Sequence, residues 1–287
     1  MFKRIALPLL AALATALPAS AQPPVWVVRD QDSTIVLFGS VHMLPPGLNW
    51  RPEALDTAIR DADDLWFELP LNATDSQAAA RLAIERGTLP KGQKLVDKLS
   101  PSGRRRLEAA ARRMNLSIDA LNRMRPWLAE VTVGVAQLAG GGANGSDGVE
   151  RTLNNDAPAT AQRRAFETPE QQIAFFADAP EKDQVASLEN SLREMEKDPG
   201  AYSKLVAAWL AGDTQALERE GLKPMRRASP TLYDRLVVKR NARWTDMIAR
   251  RLAGSGETVM VVGAAHLIGK DGVPAMLRRR GLHVEGP

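Results

Sequence analysis

The sequence predicts an α/β fold, in which a central mixed β-sheet carries flanking helices and a helical insertion. Short β-branched and aliphatic runs alternate with segments whose apolar residues recur at helical spacing. Two of these runs, residues 34–38 and 258–262, are each followed by Gly-x-x-His, ending at His42 and His266. A long helical middle separates them. We therefore expect two pseudo-equivalent halves, each contributing one strand and one Gly-x-x-His motif.

The first 21 residues have the features of a secretory signal peptide. Two basic residues precede an apolar stretch, and the small residues 19–21 provide a cleavage site. The apolar stretch is shorter than the roughly 20 residues that a membrane-spanning helix needs. We therefore expect cleavage near Ala21, a periplasmic or secreted location, and a single domain over residues 22–287.

Composition narrows the classes of partner and of metal ligand. The net charge of the 287-residue chain is only +4, and its arginine runs lack interleaved aromatic residues, so we expect no nucleic-acid partner. No later segment is apolar over the length of a membrane span, so we expect no stable membrane insertion. The chain contains no cysteine, which excludes thiolate ligands. Any metal ion must be held by histidine, carboxylate or amide groups.

The first predicted elements are a β-hairpin and a β-α-β unit. Residues 25–28 and 34–38 are strand-like runs joined by a polar turn. Residues 51–63 show the apolar spacing of an amphipathic helix. Residues 64–70 then form a strand with Glu68 near its end, so the unit finishes with one charged side chain at the sheet edge.

The first helical region covers about residues 75–160. Residues 100–114 begin with a serine cap followed by proline, which predicts a helix, and a second helix is predicted at residues 121–138. The glycine-rich segment 140–148 lacks the Gly-Lys-Ser/Thr sequence of a phosphate-binding loop and predicts a flexible loop. A further helix is expected at residues 149–161.

A second helical region covers about residues 170–254. It follows a predicted strand at residues 163–168, which has Glu167 near its end. The region finishes with a long helix that begins at Ser229, and the strand leading to the second Gly-x-x-His comes next. A short helix then precedes a possible edge strand at residues 282–284.

Four predicted strands end in side chains that suit a divalent metal ion. The four residues are His42, Glu68, Glu167 and His266. Imidazole nitrogens and carboxylate oxygens are ligands for manganese, cobalt or zinc when thiolates are absent. Gly39 and Gly263 close the two matched strands, and glycine there lets the backbone approach a ligand closely. Because open α/β folds bind ligands at this sheet edge, we expect one shared pocket.

The helix that begins at Ser229 has two polar residues inside its apolar stripe, Arg240 and Asn241. Buried polar groups need partners. Two interpretations of Arg240 stay open: an ion pair that only holds the fold together, or a group that binds an oxyanion or carboxylate. Asn241 is a candidate to hold a metal ion or a substrate carbonyl. The third histidine, His283, is predicted to be structural or exposed.

Five segments together resemble the TraB/PrgY/GumN family, which includes the animal Tiki proteins. The segments are residues 39–42, 68–70, 166–171, 240–244 and 262–272. The paired Gly-x-x-His motifs are the most specific part of the resemblance. The first motif is usually Gly-Thr-x-His in that family, and this chain has Ser40 in place of the threonine.

The resemblance implies a fold related to erythromycin esterase and to the haem-associated ChaN proteins. It also implies a site formed by the two histidines, a glutamate and the Arg-Asn pair. Tiki proteins are metal-dependent proteases that trim an N-terminal segment of Wnt proteins. Bacterial members are linked to pheromone shutdown in conjugation or to exopolysaccharide gene clusters, so the family alone leaves the substrate open.

The leading hypothesis is a metal-dependent hydrolase that acts on a peptide or protein substrate in the cell envelope. His42 and His266 would ligate the ion, with Glu68 as a third ligand or as the general base. Arg240 and Asn241 would stabilise the oxyanion, and Glu167 would orient a histidine. The rival hypotheses are a periplasmic binding protein that sequesters a peptide or signal and, more distantly, a haem-handling protein.

Overall fold

The computed structural model describes residues 22–287, so the predicted signal peptide lies outside the described residues. The described strands form one sheet in the order β4-β3-β5-β2-β1-β6. Their bounds are β1 (Val25–Arg29), β2 (Ser33–Ser40), β3 (Asp64–Phe67), β4 (Gln162–Ala165), β5 (Gly256–Gly263) and β6 (Val284–Glu285). β4, β3, β5 and β2 run parallel, whereas β1 is antiparallel to both β2 and β6. The predicted mixed α/β sheet is confirmed.

The central strand pair joins the two ends of the described chain. β2 and β5 are parallel neighbours in a register that pairs Gly39 with Val262 and Ser40 with Gly263. The two matched strands therefore finish at the same level of the sheet. β5 also lies between β2 and β3, so the two strands of the predicted β-α-β unit are not adjacent in the sheet.

Helices flank the sheet and form the two predicted helical regions. Their bounds are α1 (Glu53–Asp61), α2 (Ala73–Gly87), α3 (Pro101–Arg113), α4 (Ile118–Leu121), α5 (Pro126–Gly140), α6 (Val149–Asp156), α7 (Pro169–Ala177), α8 (Glu181–Lys197), α9 (Ala201–Leu210), α10 (Thr214–Leu217), α11 (Lys223–Ala228), α12 (Pro230–Tyr233), α13 (Lys239–Leu252) and α14 (Val273–Arg279). Short 3₁₀ turns cover Leu95–Lys98 and Ala264–His266, and π turns cover Glu218–Leu222 and Asp234–Val238.

Capping residues set the helix boundaries that the sequence predicted best. The Ser100 side chain accepts from the backbone N–H of Gly103 at the start of α3. Thr168 and Gln171 form a reciprocal capping box at the start of α7. The prediction of one helix over residues 121–138 is wrong. α4 ends at Leu121, the first residue of that segment, and α5 begins at Pro126, because proline cannot donate an N–H to a preceding turn.

The glycine-rich segment 140–148 is packed against the first Gly-x-x-His loop and is not a free linker. Leu44 and Asn144 exchange two backbone hydrogen bonds of 3.1 and 3.0 Å. The N–H of Val149 donates to the carbonyl oxygen of Val41 at 3.2 Å. A Cβ atom at Gly148 would overlap the carbonyl oxygen of His42, so only glycine allows this approach. The segment therefore fixes where α6 begins relative to His42.

Two apolar clusters hold these layers together. One packs the sheet against its helices and includes an aromatic group of Phe38, Trp50 and Trp209, whose ring centroids lie 5.8 to 6.2 Å apart. The indole Nε1 of Trp209 also donates to the carbonyl oxygen of Gly39 at 2.8 Å, which anchors the end of β2. The other cluster lies among α3, α5 and α8. Within residues 22–287, every helix is too short or too polar to cross a bilayer.

Candidate functional site

The carboxyl ends of four parallel strands bring the predicted site residues to one edge of the sheet. His42 follows β2, Glu68 follows β3, Glu167 follows β4, and His266 ends the 3₁₀ turn after β5. The ladder between β3 and β4 continues past the strands, because the N–H of Glu167 donates to the carbonyl oxygen of Glu68 at 3.0 Å. The predicted convergence of these side chains is therefore observed, whereas their chemical roles stay predictions.

The side chains of Glu68, His42 and His266 surround Gly263. A Cβ atom placed on Gly263 would lie 3.2 Å from Glu68 Oε1, 3.6 Å from His42 Nε2 and 3.7 Å from His266 Cδ2. The absent side chain therefore leaves a cradle that a carboxylate and two imidazoles share. The N–H of Gly263 also donates to Glu68 Oε1 at 2.8 Å, which holds the carboxylate toward the cradle.

His42 is held by a carboxylate that the sequence reasoning missed. Its Nδ1 lies 2.5 Å from Oε1 of Glu150, and Ser40 Oγ donates to the same oxygen at 2.5 Å. Glu150 lies in the first turn of α6, directly after the packed glycine-rich segment. Acidic residues are common in the first turn of a helix because the helix dipole favours them, so nothing in the sequence distinguishes Glu150 from other such residues.

Glu150 changes the protonation of His42. The negative carboxylate raises the pKa of His42 above its ordinary value near 6.5, against an opposing effect of burial. Because 66% of the His42 side chain is exposed, solvent screens part of this attraction. Nδ1 is engaged by Glu150, and the cradle at Gly263 lies on the Nε2 side of the ring.

His266 is buried and neutral. Burial lowers its pKa to about 3, so the ring is uncharged at neutral pH. Arg240 can only donate, so its Nη1 contact at 3.0 Å identifies Nε2 of His266 as the acceptor. The Nδ1–H of His266 then donates to Oδ1 of Asn241 at 2.6 Å. Asn241 therefore selects the tautomer of His266.

Arg240 links both glutamates to His266. Its Nη2 donates to Glu68 Oε2 at 2.5 Å and to Glu167 Oε2 at 2.8 Å. Its Nε donates to both oxygens of Glu167, and its Nη1 reaches the carbonyl oxygen of Leu236 at 3.2 Å. Only 7% of the Arg240 side chain and 1% of the Glu167 side chain are exposed. Buried charges in such a cluster depend on one another, because each is costly to bury alone.

At three predicted site residues, hydrogen bonds within the protein engage the groups that the predicted roles would use. Asn241 is fully buried; its amide nitrogen donates to the carbonyl oxygens of Asp271 and His266, and its Oδ1 accepts from Nδ1 of His266, so its amide is engaged by protein groups. Arg240 is committed to protein acceptors through Nε, Nη1 and Nη2, which matches the ion-pair interpretation. Glu167 accepts from Arg240, Arg243 and Trp244 instead of orienting a histidine.

Glu68 is an anion in spite of its burial. Burial raises its pKa, but His266, whose ring is protonated at the acidic pH where Glu68 titrates, acts with Arg240, His42 and the hydrogen bond from Gly263 to outweigh this effect and lower the pKa to about 2. A carboxylate with so low a pKa is a weak proton acceptor at neutral pH. The structure therefore favours Glu68 as a fixed negative charge over the predicted general base.

The side chains at the cradle are of kinds that bind divalent metal ions. Each imidazole has its Nδ1 engaged by an oxygen atom of Glu150 or Asn241, which is the outer support that metal-binding histidines ordinarily have. The described residues, 22–287, contain no ready-made group of three or more histidine or carboxylate side chains arranged to hold a metal ion. At the cradle, Arg240 Nη1 lies on the Nε2 atom of His266 that an ion would use.

His283, the remaining histidine, is exposed near the edge strand β6, as expected.

Comparison with known proteins identifies relatives of this chain and its family. The chain is 25% identical over 243 residues to the uncharacterized protein YbaP of Escherichia coli (strain K12), a match that covers 84% of this chain and 87% of YbaP. The YbaP protein of Shigella flexneri matches to the same extent. No solved structure matches the chain. The sequence model of the TraB/PrgY/gumN family matches residues 24–286, and the chain therefore belongs to that family.

Proposed function

We propose that this protein is an exported, metal-dependent hydrolase of peptide bonds. One observation carries the proposal: two imidazoles and one carboxylate share the cradle at Gly263, and both imidazoles have their Nδ1 atoms held from outside. Second partners of this kind fix the tautomer and direction of metal-binding histidines. The signal-like residues 1–21 support export to the periplasm or the medium.

His42 Nε2, His266 Nε2 and Glu68 are the groups that would hold a divalent ion of manganese, cobalt or zinc. When bound, such an ion supplies Lewis acidity, which polarises a carbonyl and acidifies water. The neutral state of His266 and the ionised state of Glu68 already suit this role. His42 must give up its Nε2 proton, so uptake of the ion releases a proton and weakens as the pH falls.

The protein residues around the cradle have distinct tasks in the proposed reaction. Glu150 and Asn241 orient the two imidazoles, and the N–H of Gly263 fixes Glu68. Arg240 balances the charges of Glu68 and Glu167 within the buried cluster. In the overall step, water adds to the carbonyl carbon, the C–N bond breaks, and the leaving nitrogen takes the proton that the water loses.

Metal content and peptide cleavage test this function directly. Protein lacking residues 1–21 is loaded with Mn²⁺, Co²⁺ or Zn²⁺, its metal content is measured, and its activity on a diverse quenched-peptide library is recorded. We expect a bound ion and cleavage that a chelator abolishes, with both lost in His42→Ala and His266→Ala. The matched control is His283→Ala, which removes the exposed histidine outside the cradle. Absence of both metal binding and cleavage in the wild type would refute the proposal.

A second candidate function is sequestration of a peptide or signal without cleavage. The hydrogen bond from Arg240 Nη1 to His266 Nε2 favours this candidate, because it engages the lone pair that an ion needs. Tight peptide binding that survives both His42→Ala and His266→Ala, with no cleavage, would support it. A Soret band after mixing with haem would instead indicate haem handling.

A further inference from the structure

A cavity of about 350 Å³ opens directly beside His42 and Gly263. Its walls come from parts of the chain that meet only in the folded protein, namely Leu138 of α5, Leu205 of α9 and Leu222 of the π turn Glu218–Leu222. Ile268, two residues after the 3₁₀ turn Ala264–His266, also lines the cavity. The cavity volume lies at the lower end of the roughly 300–1,000 Å³ range of small-ligand pockets. It therefore has room for one or two side chains of a peptide.

The polar groups of this cavity are already satisfied by the protein. Ser40 Oγ donates to Glu150, and the hydroxyl of Tyr202 donates to the carbonyl oxygen of Met43. His42 is the one ionisable side chain besides Tyr202 among the residues that line the cavity, and no aspartate, glutamate, lysine or arginine lines it. A charged group buried here would lose its hydration, and the charge of the lining, on His42, is already paired with Glu150, so the burial is costly.

We propose that this cavity is the specificity pocket of the enzyme and receives an uncharged apolar side chain, of leucine or aromatic type, next to the peptide bond to be cut. The inference rests on the proposed hydrolase function. The proposal is based on the position of the cavity, which is continuous with the cradle because both include His42 and Gly263. Apart from the engaged hydroxyls of Ser40 and Tyr202, the other lining side chains are apolar. Burial of such a side chain supplies binding free energy at the position where the reacting bond must be held.

Two lining residues set the size of the pocket. Leu205 is half-buried on α9, and its Cδ2 atom would lie 3.6 Å from a Cβ atom placed on Gly221, its neighbour in the cavity wall. Ala265 is exposed at the mouth, beside the buried His266. A large residue at position 265 should fill the pocket from the open side, and alanine at position 205 should enlarge it.

Binding of capped amino acids tests the pocket without any cleavage. The probes are N-acetyl-leucine amide and N-acetyl-aspartate amide, added to metal-free protein of residues 22–287 and followed by saturation-transfer NMR. We expect the leucine probe to bind at least tenfold more tightly than the aspartate probe, and to lose about tenfold in affinity in Ala265→Trp. The matched control is Ala201→Trp, on an exposed position of α9 outside the cavity, which should bind like the wild type.

Leu205→Ala provides a second variant if tryptophan at position 265 disturbs folding. It should weaken the leucine probe several-fold and improve N-acetyl-tryptophan amide relative to it, because the pocket becomes larger. Equal binding of the leucine and aspartate probes, or binding that neither Ala265→Trp nor Leu205→Ala changes, would overturn the proposal.

Cleavage of the quenched-peptide library separates failure of the pocket from failure of the hydrolase function. We expect cleavage beside leucine, phenylalanine or tryptophan to exceed cleavage beside aspartate or lysine by at least tenfold. Selective binding of the leucine probe without any peptide cleavage would retain the pocket and refute the hydrolase. Metal-dependent cleavage without preference for apolar side chains would retain the hydrolase and refute the pocket.

Discussion

Oε1 of Glu150 lies 2.5 Å from Nδ1 of His42, although the two residues are 108 positions apart in the chain. The glycine-rich segment 140–148 brings the two residues together, because it packs on the first Gly-x-x-His loop and so places the start of α6 next to His42. The contact both orients the ring and stabilises its protonated form. His42 is therefore part of a Ser40–Glu150–His42 group, and each member should affect its properties.

Glu150→Gln should lower the pKa of His42 toward its ordinary value near 6.5, because the variant removes the negative charge and keeps an acceptor oxygen. NMR titration of the imidazole C–H signals measures this, and the chain contains only three histidines. Hydrolysis, where present, should fall by about 10- to 100-fold. Glu196→Gln, a surface change, is the control. A pKa of His42 that does not move would contradict the assigned contact.

Arg240→Ala should destabilise the fold by about 3–5 kcal/mol, because it leaves the buried carboxylates of Glu68 and Glu167 without their partner. Urea unfolding measures the change. Arg243 contacts the same carboxylate of Glu167 at 3.3 Å but is 52% exposed, so Arg243→Ala should cost about 1 kcal/mol or less. Equal losses of unfolding free energy in the two variants would contradict the argument that burial makes Arg240 more important to stability than Arg243.

Gly39→Ala should destabilise the fold by about 1–3 kcal/mol. The new Cβ would lie 3.0 Å from Ala264 Cα and 3.1 Å from Ala264 Cβ, so the backbone of one motif must move away from the other. The paired control is Gly134→Ala in α5, where a Cβ meets nothing within 4 Å and helix propensity should add up to about 1 kcal/mol of stability. Thermal or urea unfolding should therefore show opposite signs, and the same sign in both would refute this argument.

Glu130→Gln should change how stability depends on pH. Burial raises the pKa of Glu130, while Ser191 and Ser187 oppose the shift with hydrogen bonds. The folded wild type therefore holds the proton more tightly than the unfolded chain does. The stability that protonated Glu130 contributes is fully present below the unfolded-state pKa of 4.5. It is lost as the pH rises through the folded-state pKa.

The uncharged glutamine avoids this loss. Glu130→Gln should therefore gain stability relative to the wild type at pH 8, and the gain should vanish at pH 4. Urea unfolding at both values measures the difference. Ser191→Ala removes one of the opposing hydrogen bonds, so the total stability lost between pH 4 and pH 8 should be larger in this variant than in the wild type. A constant difference between Glu130→Gln and wild type across this range would contradict the shift.

Local signals in the sequence predicted much of the fold. Thr168 and Ser100 mark helix starts through side-chain caps, which depend on residues only three positions away. The Gly-x-x-His motifs predicted strand ends at one edge, because parallel strands share the direction of their carboxyl ends. The interrupted apolar stripe also identified Arg240 and Asn241 as buried polar residues, and both are buried.

Long-range pairing could not be predicted in the same way. Nothing local shows that β5 lies between β2 and β3, because strand order depends on contacts between the two ends of the described chain. The roles of Asn241 and Glu150 depend on which distant atoms fill their hydrogen bonds. A side chain's type predicts what it can bind, whereas its partners in the fold decide what it still has free.

The pairing of β2 with β5 also determines at what stage of folding the site forms. Ser33 Oγ donates to the carbonyl oxygen of Gly254 at 2.8 Å across a separation of 221 residues. Contacts of such high order form late and slow the folding reaction, since a large loop must close first. A nascent chain still on the ribosome has His42 but lacks β5 and His266. Folding of the full-length chain is therefore required for the pocket to form, and prematurely terminated chains lack it.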